Sequence, residues 1–257
     1  MAMVSYFYFT ATMPLTYGTG DMSLLIYRHL AEQKWRNYPR KIVEQRITQM
    51  NVVPDVIPHI NQTVSVDIRF PRLTVKPGQF VDAITSQFPP TLHIQVFEPG
   101  MRLYTVIAID SDVPDVENDR FNFRCHGLFA NIAYSPTDNA VTLNPRLVPT
   151  IMPWLPPYAQ KGSPYHRMSL WLLEQPEGKS LDVEALQKNL KRDKFVLRSF
   201  IDKHRLKPVG VNMFRCIWDS GTAGVMEKHN IPGVDIMLRR KTPEKMPYKK
   251  KDPKRYR

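Results

Sequence analysis

A chain of 257 residues with 42% hydrophobic content is long enough to bury one large core, which excludes a wholly disordered protein. No apolar run reaches the roughly 18 residues needed for a membrane-spanning helix. Twenty-three prolines against eleven glycines favour fixed turns and extended connections over a helical bundle, and the formal charge of +12 points to an acidic partner.

That charge is unevenly placed. Residues 239–257 hold ten basic side chains (Arg239, Arg240, Lys241, Lys245, Lys249, Lys250, Lys251, Lys254, Arg255 and Arg257) against Glu244 and Asp252, a net of +8. Residues 188–207 hold eight, among them Lys191, Arg192, Lys194 and Arg198, against Asp193 and Asp202, a net of +6. The remainder is close to neutral at −2. A neutral body with two basic surfaces suits a polyanion. Solvated charge with no partner is the plainer alternative.

Residues 1–20 open with "MAMVSYFYFTATMPL" and carry no basic residue. They match neither a secretory n-region nor an Arg-rich presequence, and this segment stays unassigned. From Asp21 to about Met50, Leu24, Leu25, Tyr27, Leu30, Trp35, Ile42, Val43, Ile47 and Met50 recur at helical spacing, and Pro39 should kink or split the helix. The stretch is also basic, which suits an arm packed on an external partner. "NVVPDVIPHINQ" follows as an extended connector. The period then becomes two: "VSVDIRF" sets Val64, Val66, Ile68 and Phe70 against Ser65, Asp67 and Arg69, as in a half-buried strand. "TLHIQVF", "RLYTVIAID", "HGLFANI", "HRMSLWLLEQ" and "VGVNMFRCIWD" are further strands. Two short helices are expected late, one at Val183–Leu190 and one capped by Asp193 that includes Phe195, Val196, Phe200 and Ile201. Trp171 and Trp218 read as core, and Asp219 as a strand-end turn residue. The Lys/Pro-rich tail has no apolar periodicity and reads as extended until bound. Tyr248 and Tyr256 within it could stack on exposed bases.

The strand "RLYTVIAID" raises a chemical question, because it ends by delivering Asp110 and Asp112 just before Pro114. These could be catalytic acids, metal ligands, walls of an anion pocket or turn residues. His126 and His166 could complete a cation site, yet no HExxH or HxH spacing supports a metal. No GxSxG elbow supports a serine hydrolase. Cys125 and Cys216 show no CxxC spacing and read as buried, reduced thiols.

Four segments in order, "IDSDVPD", "FRCHGLFANI", "LPPYAQKGSPYHRMSLWLLEQ" and "KHRLKPVGVNMFRCIWD", resemble the phosphatidylethanolamine-binding protein family. That family's pattern is approximately D-P-D-x-P, H-H-x-x-V-x-N, G-x-G-P-P followed by H-R-Y, and P-V-A-G…W-D. The resemblance implies a mainly β fold: an antiparallel β-sandwich with peripheral helices. Around it the chain divides into residues 1–20, unassigned; 21–60, helical arm and connector; 61–222, the β domain; and 223–257, a C-terminal extension with the basic tail. It also implies an anion pocket lined by Asp110, His126 and His166, with Pro156 and Pro157 as a wall and Asp112 alongside. Three departures read as erosion of that pocket to a vestige: Cys125 replaces the first His of the family's pair, Leu155 replaces a glycine, and Met168 replaces a tyrosine. A Cβ where backbone should approach a ligand is a steric objection.

The helical arm, "QRITQMNVVPDVIPHINQTVSVDIRFP" and the basic extension are similar to the branch of this family found in the mitochondrial large ribosomal subunit. That similarity implies a ribosomal constituent in the mitochondrial matrix, near the central protuberance. Its partners would be large-subunit rRNA and neighbouring ribosomal proteins, with no catalytic residues, metal, cofactor or small-molecule substrate.

Overall fold

The computed structural model describes residues 20–138, 140–176 and 179–238. Expectations for residues 1–19 and for the tail, including Tyr248, Tyr256 and its ten cations, lie outside the described residues. In chain order the elements are α1 (Leu25–Asn37), α2 (Pro39–Gln49), α3 (Val52–Asp55), β1 (Ser65–Phe70), β2 (Leu73–Thr74), β3 (Gln79–Phe80), α4 (Ala83–Ser86), β4 (Thr91–Gln95), β5 (Arg102–Asp115), β6 (Arg120–Tyr134), β7 (Ala140–Thr142), β8 (Thr150–Met152), β9 (His166–Glu174), α5 (Val183–Asn189), α6 (Leu197–His204), β10 (Lys207–Cys216) and α7 (Thr222–Lys228).

The strands form two stacked sheets, one ordered β2-β1-β4-β7 and the other β3-β10-β9-β5-β6-β8. Pairing is antiparallel throughout except for the short β3 against β10, which is parallel. Side-chain alternation builds both cores. Val106, Ala108, Leu170 and Leu172 meet Val66, Ile68, Leu92 and Ile94 of the smaller sheet. Their neighbours Ile107, Ile109, Trp171 and Leu173 point to the other face, where Ile47 of α2, Leu186 of α5 and Phe200 of α6 cover them. A strand covered on both faces is apolar at every position, which is why "VIAI" shows no alternation.

The arm is two helices. Pro39 sits at the first turn of α2, where its missing N–H costs nothing, and the break falls at Tyr38. Trp35, 2% exposed, anchors α1 with its ring 5.3 Å from Phe97, while Leu25 and Leu30 remain exposed. In the connector α3 interrupts the expected extended run, although Val53, before Pro54, keeps an extended φ of −106° and ψ of 119°.

Two local expectations are overturned. First, Asp110 and Asp112 do not terminate a strand. β5 continues to Asp115 through the pairs Val113↔Asn122, Pro114↔Phe121 and Asp115↔Arg120, after a shift of register between Asp110 and Val113. β9 pairs with β5 only as far as Asp110, so Pro114 lies on a free edge, where no ladder N–H is required. Second, Asp193 does not cap α6. Lys194 takes a left-handed φ of 57°, the helix begins at Leu197 after Val196, and the Asp193 carboxylate pairs with Arg124 instead. Asp219 does sit just beyond β10, where it accepts hydrogen bonds from the N–H of Ala83 at 2.8 Å and of Gly221 at 2.9 Å.

Candidate functional site

Long-range strand pairing assembles the centre. β5 lies between β6 and β9, so residues 56 apart in sequence face each other: His166 Nδ1 is 2.7 Å from Asp110 Oδ2. Asp110 is 1% exposed and His166 2%. Burial opposes charge on both, but each offsets the other's cost. The net result holds the Asp110 carboxyl below its usual range and the His166 imidazole above its own. Asp110 Oδ1 also accepts the Asp112 N–H at 2.9 Å.

His126, fully buried on β6, behaves differently. Its Nδ1 is 3.0 Å from the Leu155 carbonyl, which assigns that nitrogen as the donor. Its Nε2 has no hydrogen-bond partner and stands 3.8 Å from Asp110 Oδ2. Burial, the largest cause, pushes the imidazole down to about 4 despite the Asp110 charge. The centre therefore holds a carboxylate hydrogen-bonded to an imidazole whose charged form it favours, beside a second imidazole whose charged form burial disfavours.

Asp112 is not part of it. The register shift turns its carboxylate to the opposite face, onto Arg167, which donates from its backbone N and Nε to Oδ2 at 2.8 Å each and from Nη2 to Oδ1 at 2.7 Å. Arg167 Nη1 then reaches Asp55 Oδ2 and the Met50 carbonyl, both at 2.8 Å, so this cluster ties arm and connector to the sheet. Such a bidentate clamp is a bracing device. Strand alternation carries its signal: Arg167 must face away from its neighbour His166.

Pro156 and Pro157 are buried, and the surrounding segment closes over the centre. Leu155 donates its N–H to the His126 carbonyl, accepts from His126 Nδ1, and packs in a small cluster with Tyr158, Met226, Ile231 and Trp218. Leucine thus fills space at the family's glycine position. Tyr158 accepts a hydrogen bond from Arg124 and places its ring 6.2 Å from that of His126. Cys125 and Cys216 are buried thiols, both pushed up by burial, Cys125 to about 12. Among the described residues, no three His, Cys, Asp or Glu side chains are arranged to hold a metal ion.

Ser163 places its Oγ 3.3 Å from His166 Nε2. Ser163 also lines a cleft of about 740 Å³ between the β5–β6 turn and the 162–164 loop, with Leu238 at its edge. The arrangement can stabilise an imidazolium behind a hydroxyl, a geometry suited to accepting an anion. Sequence reasoning did not identify Ser163, Arg124 or Tyr158, none of which has a distinctive local pattern.

In the second basic region the four predicted cations divide. Arg192 donates to the carbonyls of Cys125 and His126 at 3.3 Å and of Pro153 at 2.7 Å. Arg198 donates to those of Pro54, Asp55 and Val56. Lys191 and Lys194 are exposed. Both arginines therefore brace the fold with part of their donor set.

Comparison with known proteins agrees with this architecture. Residues 62–214 match the family model described as phosphatidylethanolamine-binding protein. The chain is 27% identical over 213 residues to "Large ribosomal subunit protein mL38" of Schizosaccharomyces pombe, covering 81% of this chain and 67% of that one. Among solved structures it is similar to a phosphatidylethanolamine-binding protein from Plasmodium vivax, with a TM-score of 0.55 and 19% identity, over 68% of this chain and 97% of that one. It is also similar to carboxypeptidase Y inhibitor, solved with its cognate proteinase, with a TM-score of 0.56 and 15% identity, over 70% and 96%. At these identities the structures speak to fold alone. With the family model spanning more than half its length and the sandwich built as described, the chain belongs to the phosphatidylethanolamine-binding protein family.

Proposed function

We propose that this chain is a non-enzymatic constituent of the mitochondrial large ribosomal subunit, held on rRNA and neighbouring proteins by its basic extensions. The observation that carries this reading is the similarity to a large ribosomal subunit protein along 81% of the chain, well beyond the β domain that other members of the family share. The charge partition supports it: +8 in residues 239–257 and +6 in residues 188–207 on an otherwise near-neutral body. Phosphate neutralisation releases counterions, so log affinity should fall with log salt by roughly 0.7 to 0.9 per contacted phosphate.

The experiment is sucrose-gradient fractionation of mitochondrial extract at increasing ionic strength. Co-sedimentation with the large subunit, lost only at high salt, is expected. Deleting residues 239–257 should bring that loss to lower salt without unfolding the β domain. Full-strength, salt-insensitive binding by the truncated chain would refute the tail's role, and absence from ribosomal particles would refute the reading as a whole.

The Asp110–His166 pair with Ser163 at the cleft wall favours one second reading, an anion- or phospholipid-headgroup-binding module using Asp110, His126 and His166. Calorimetric titration with phosphoethanolamine separates the two: heat of binding lost in His166→Ala would support the module. The ribosomal reading expects no heat in either protein.

A further inference from the structure

The turn joining β2 to β3 carries a group of side chains that the pocket does not use. Lys76, Pro77, Gly78 and Gln79 close it with a Gln79 N–H to Lys76 carbonyl bond of 2.9 Å, and Gly78 takes a φ of +76°. Proline at the second position and glycine with positive φ at the third fit a type II turn. The Gly78 carbonyl accepts from Arg215 Nε at 2.7 Å, which fixes the guanidinium plane. That plane lies 3.9 Å from the centroid of the Phe80 ring and 5.2 Å from that of Tyr165, and the two rings meet edge to face at 6.0 Å. Phe80 is nevertheless 45% exposed and Tyr165 38%. The rings are held in place and partly exposed.

The cations beside them have no carboxylate partner among the described residues. Arg46 of α2 brings its Cδ to 3.8 Å from where a Gly78 Cβ would stand, so it shares this turn with Lys76 and Arg215. Among the described residues, none of the three pairs with a carboxylate. Arg167, directly across the β9–β10 ladder from Arg215, takes both Asp112 and Asp55. Rigid exposed aromatics interleaved with unpaired cations are what single-stranded nucleic acid requires, a face for a base and charge for the flanking phosphates. A protein partner would have to bring carboxylates to the same three positions, whereas RNA brings its phosphates with every nucleotide.

We propose that this surface, Phe80 and Tyr165 flanked by Arg46, Lys76 and Arg215, is an RNA contact that stacks an unpaired base. It rests on the RNA-binding reading above and adds to it a site on the folded body, remote in sequence from the basic tail. The Arg215–Phe80 stack forms the floor, the exposed ring faces receive the base, and the three cations neutralise phosphates on either side.

The test uses the full-length chain with a labelled ten-nucleotide single-stranded RNA of mixed sequence and a blunt duplex of the same length, read by fluorescence anisotropy. The double variant Phe80→Ala/Tyr165→Ala is expected to lose roughly tenfold affinity for the single strand and to bind the duplex as the wild type does. Lys76→Gln should lower the single-strand salt slope by roughly 0.7. Undiminished single-strand binding by the double variant overturns the stacking site alone and leaves the tail reading intact. Equal loss on the duplex also overturns it, and a wild-type chain that binds neither RNA removes the RNA-binding reading as well. In the assembled particle, a photo-cross-linker replacing Phe80 is expected to capture RNA; capture of a protein neighbour would overturn the assignment.

Discussion

His126 makes the fold acid-labile in a way that can be calculated. Its imidazole is fully buried and neutral, with Nδ1 on the Leu155 carbonyl and Nε2 without a partner. Its pKa falls from 6.5 to about 4 in the folded state, chiefly through burial. A depressed histidine contributes stability that is complete above the unfolded value of 6.5 and is lost as pH falls toward about 4, because the unfolded chain takes up the proton first. At about 1.4 kcal/mol per pH unit, stability should drop by about 2 kcal/mol between pH 7.5 and pH 5 from this residue. His166 acts in the opposite direction. Its raised pKa contributes stability that is complete below 6.5 and lost as pH rises through the folded value, a slope of opposite sign that lies above 6.5 and is common to wild type and the His126→Asn variant, so it cancels in their comparison. Asp110, with a lowered pKa, loses its contribution only below the ordinary carboxylate value of 3.8. His93 and His204 are also lowered by burial, but they remain in both proteins when wild type is compared with His126→Asn. Asparagine retains an amide donor for the Leu155 carbonyl and does not titrate. Urea unfolding monitored by tryptophan fluorescence at the two pH values should show a dependence about 2 kcal/mol smaller in the variant. Equal pH dependence in the two proteins would refute the neutral, buried assignment.

Arg167→Ala should destabilise by about 3 kcal/mol, the lower end for breaking a buried pair, since Asp112 is only 13% exposed while Asp55 is 43% exposed. A double-mutant cycle with Asp112→Asn should give a coupling of at least about 1 kcal/mol, and limited proteolysis should cut the connector sooner; additive effects would contradict the bracing role. Gly162→Ala would place a Cβ 2.0 Å from the Leu238 carbonyl at a φ of +85°, so a loss of about 1 to 3 kcal/mol and earlier cleavage within residues 231–238 are expected. An unchanged melting temperature for that variant would show that the C-terminal segment does not rest on this loop.

The β-sandwich was legible because its central strands are continuous apolar runs, and because the period of two in "VSVDIRF" marks a strand covered on one face. Trp171 and the run through Ile109 could only be core. The split at Pro39 was equally legible, since proline's missing N–H acts locally. Asp112 misled for a geometric reason. Two residues apart on a regular strand means one shared face, and a shift of register between Asp110 and Val113 broke that rule where the two acids lie. Asp193 misled because a good cap residue had a stronger competitor in Arg124, a neighbour 69 residues away in sequence.

By itself the sequence determined which segments become strands, where the arm breaks and where positive charge accumulates, because periodicity, proline and charge count act within a few residues. Only the tertiary structure decided which ionisable groups meet. Strand order set His166 against Asp110, left His126 neutral beside them, engaged Asp112 with Arg167 and left Arg215 without a carboxylate among the described residues, against two partly exposed rings. Those outcomes depend on burial and on distances of a few ångströms between residues far apart in the chain, and no local pattern encodes either.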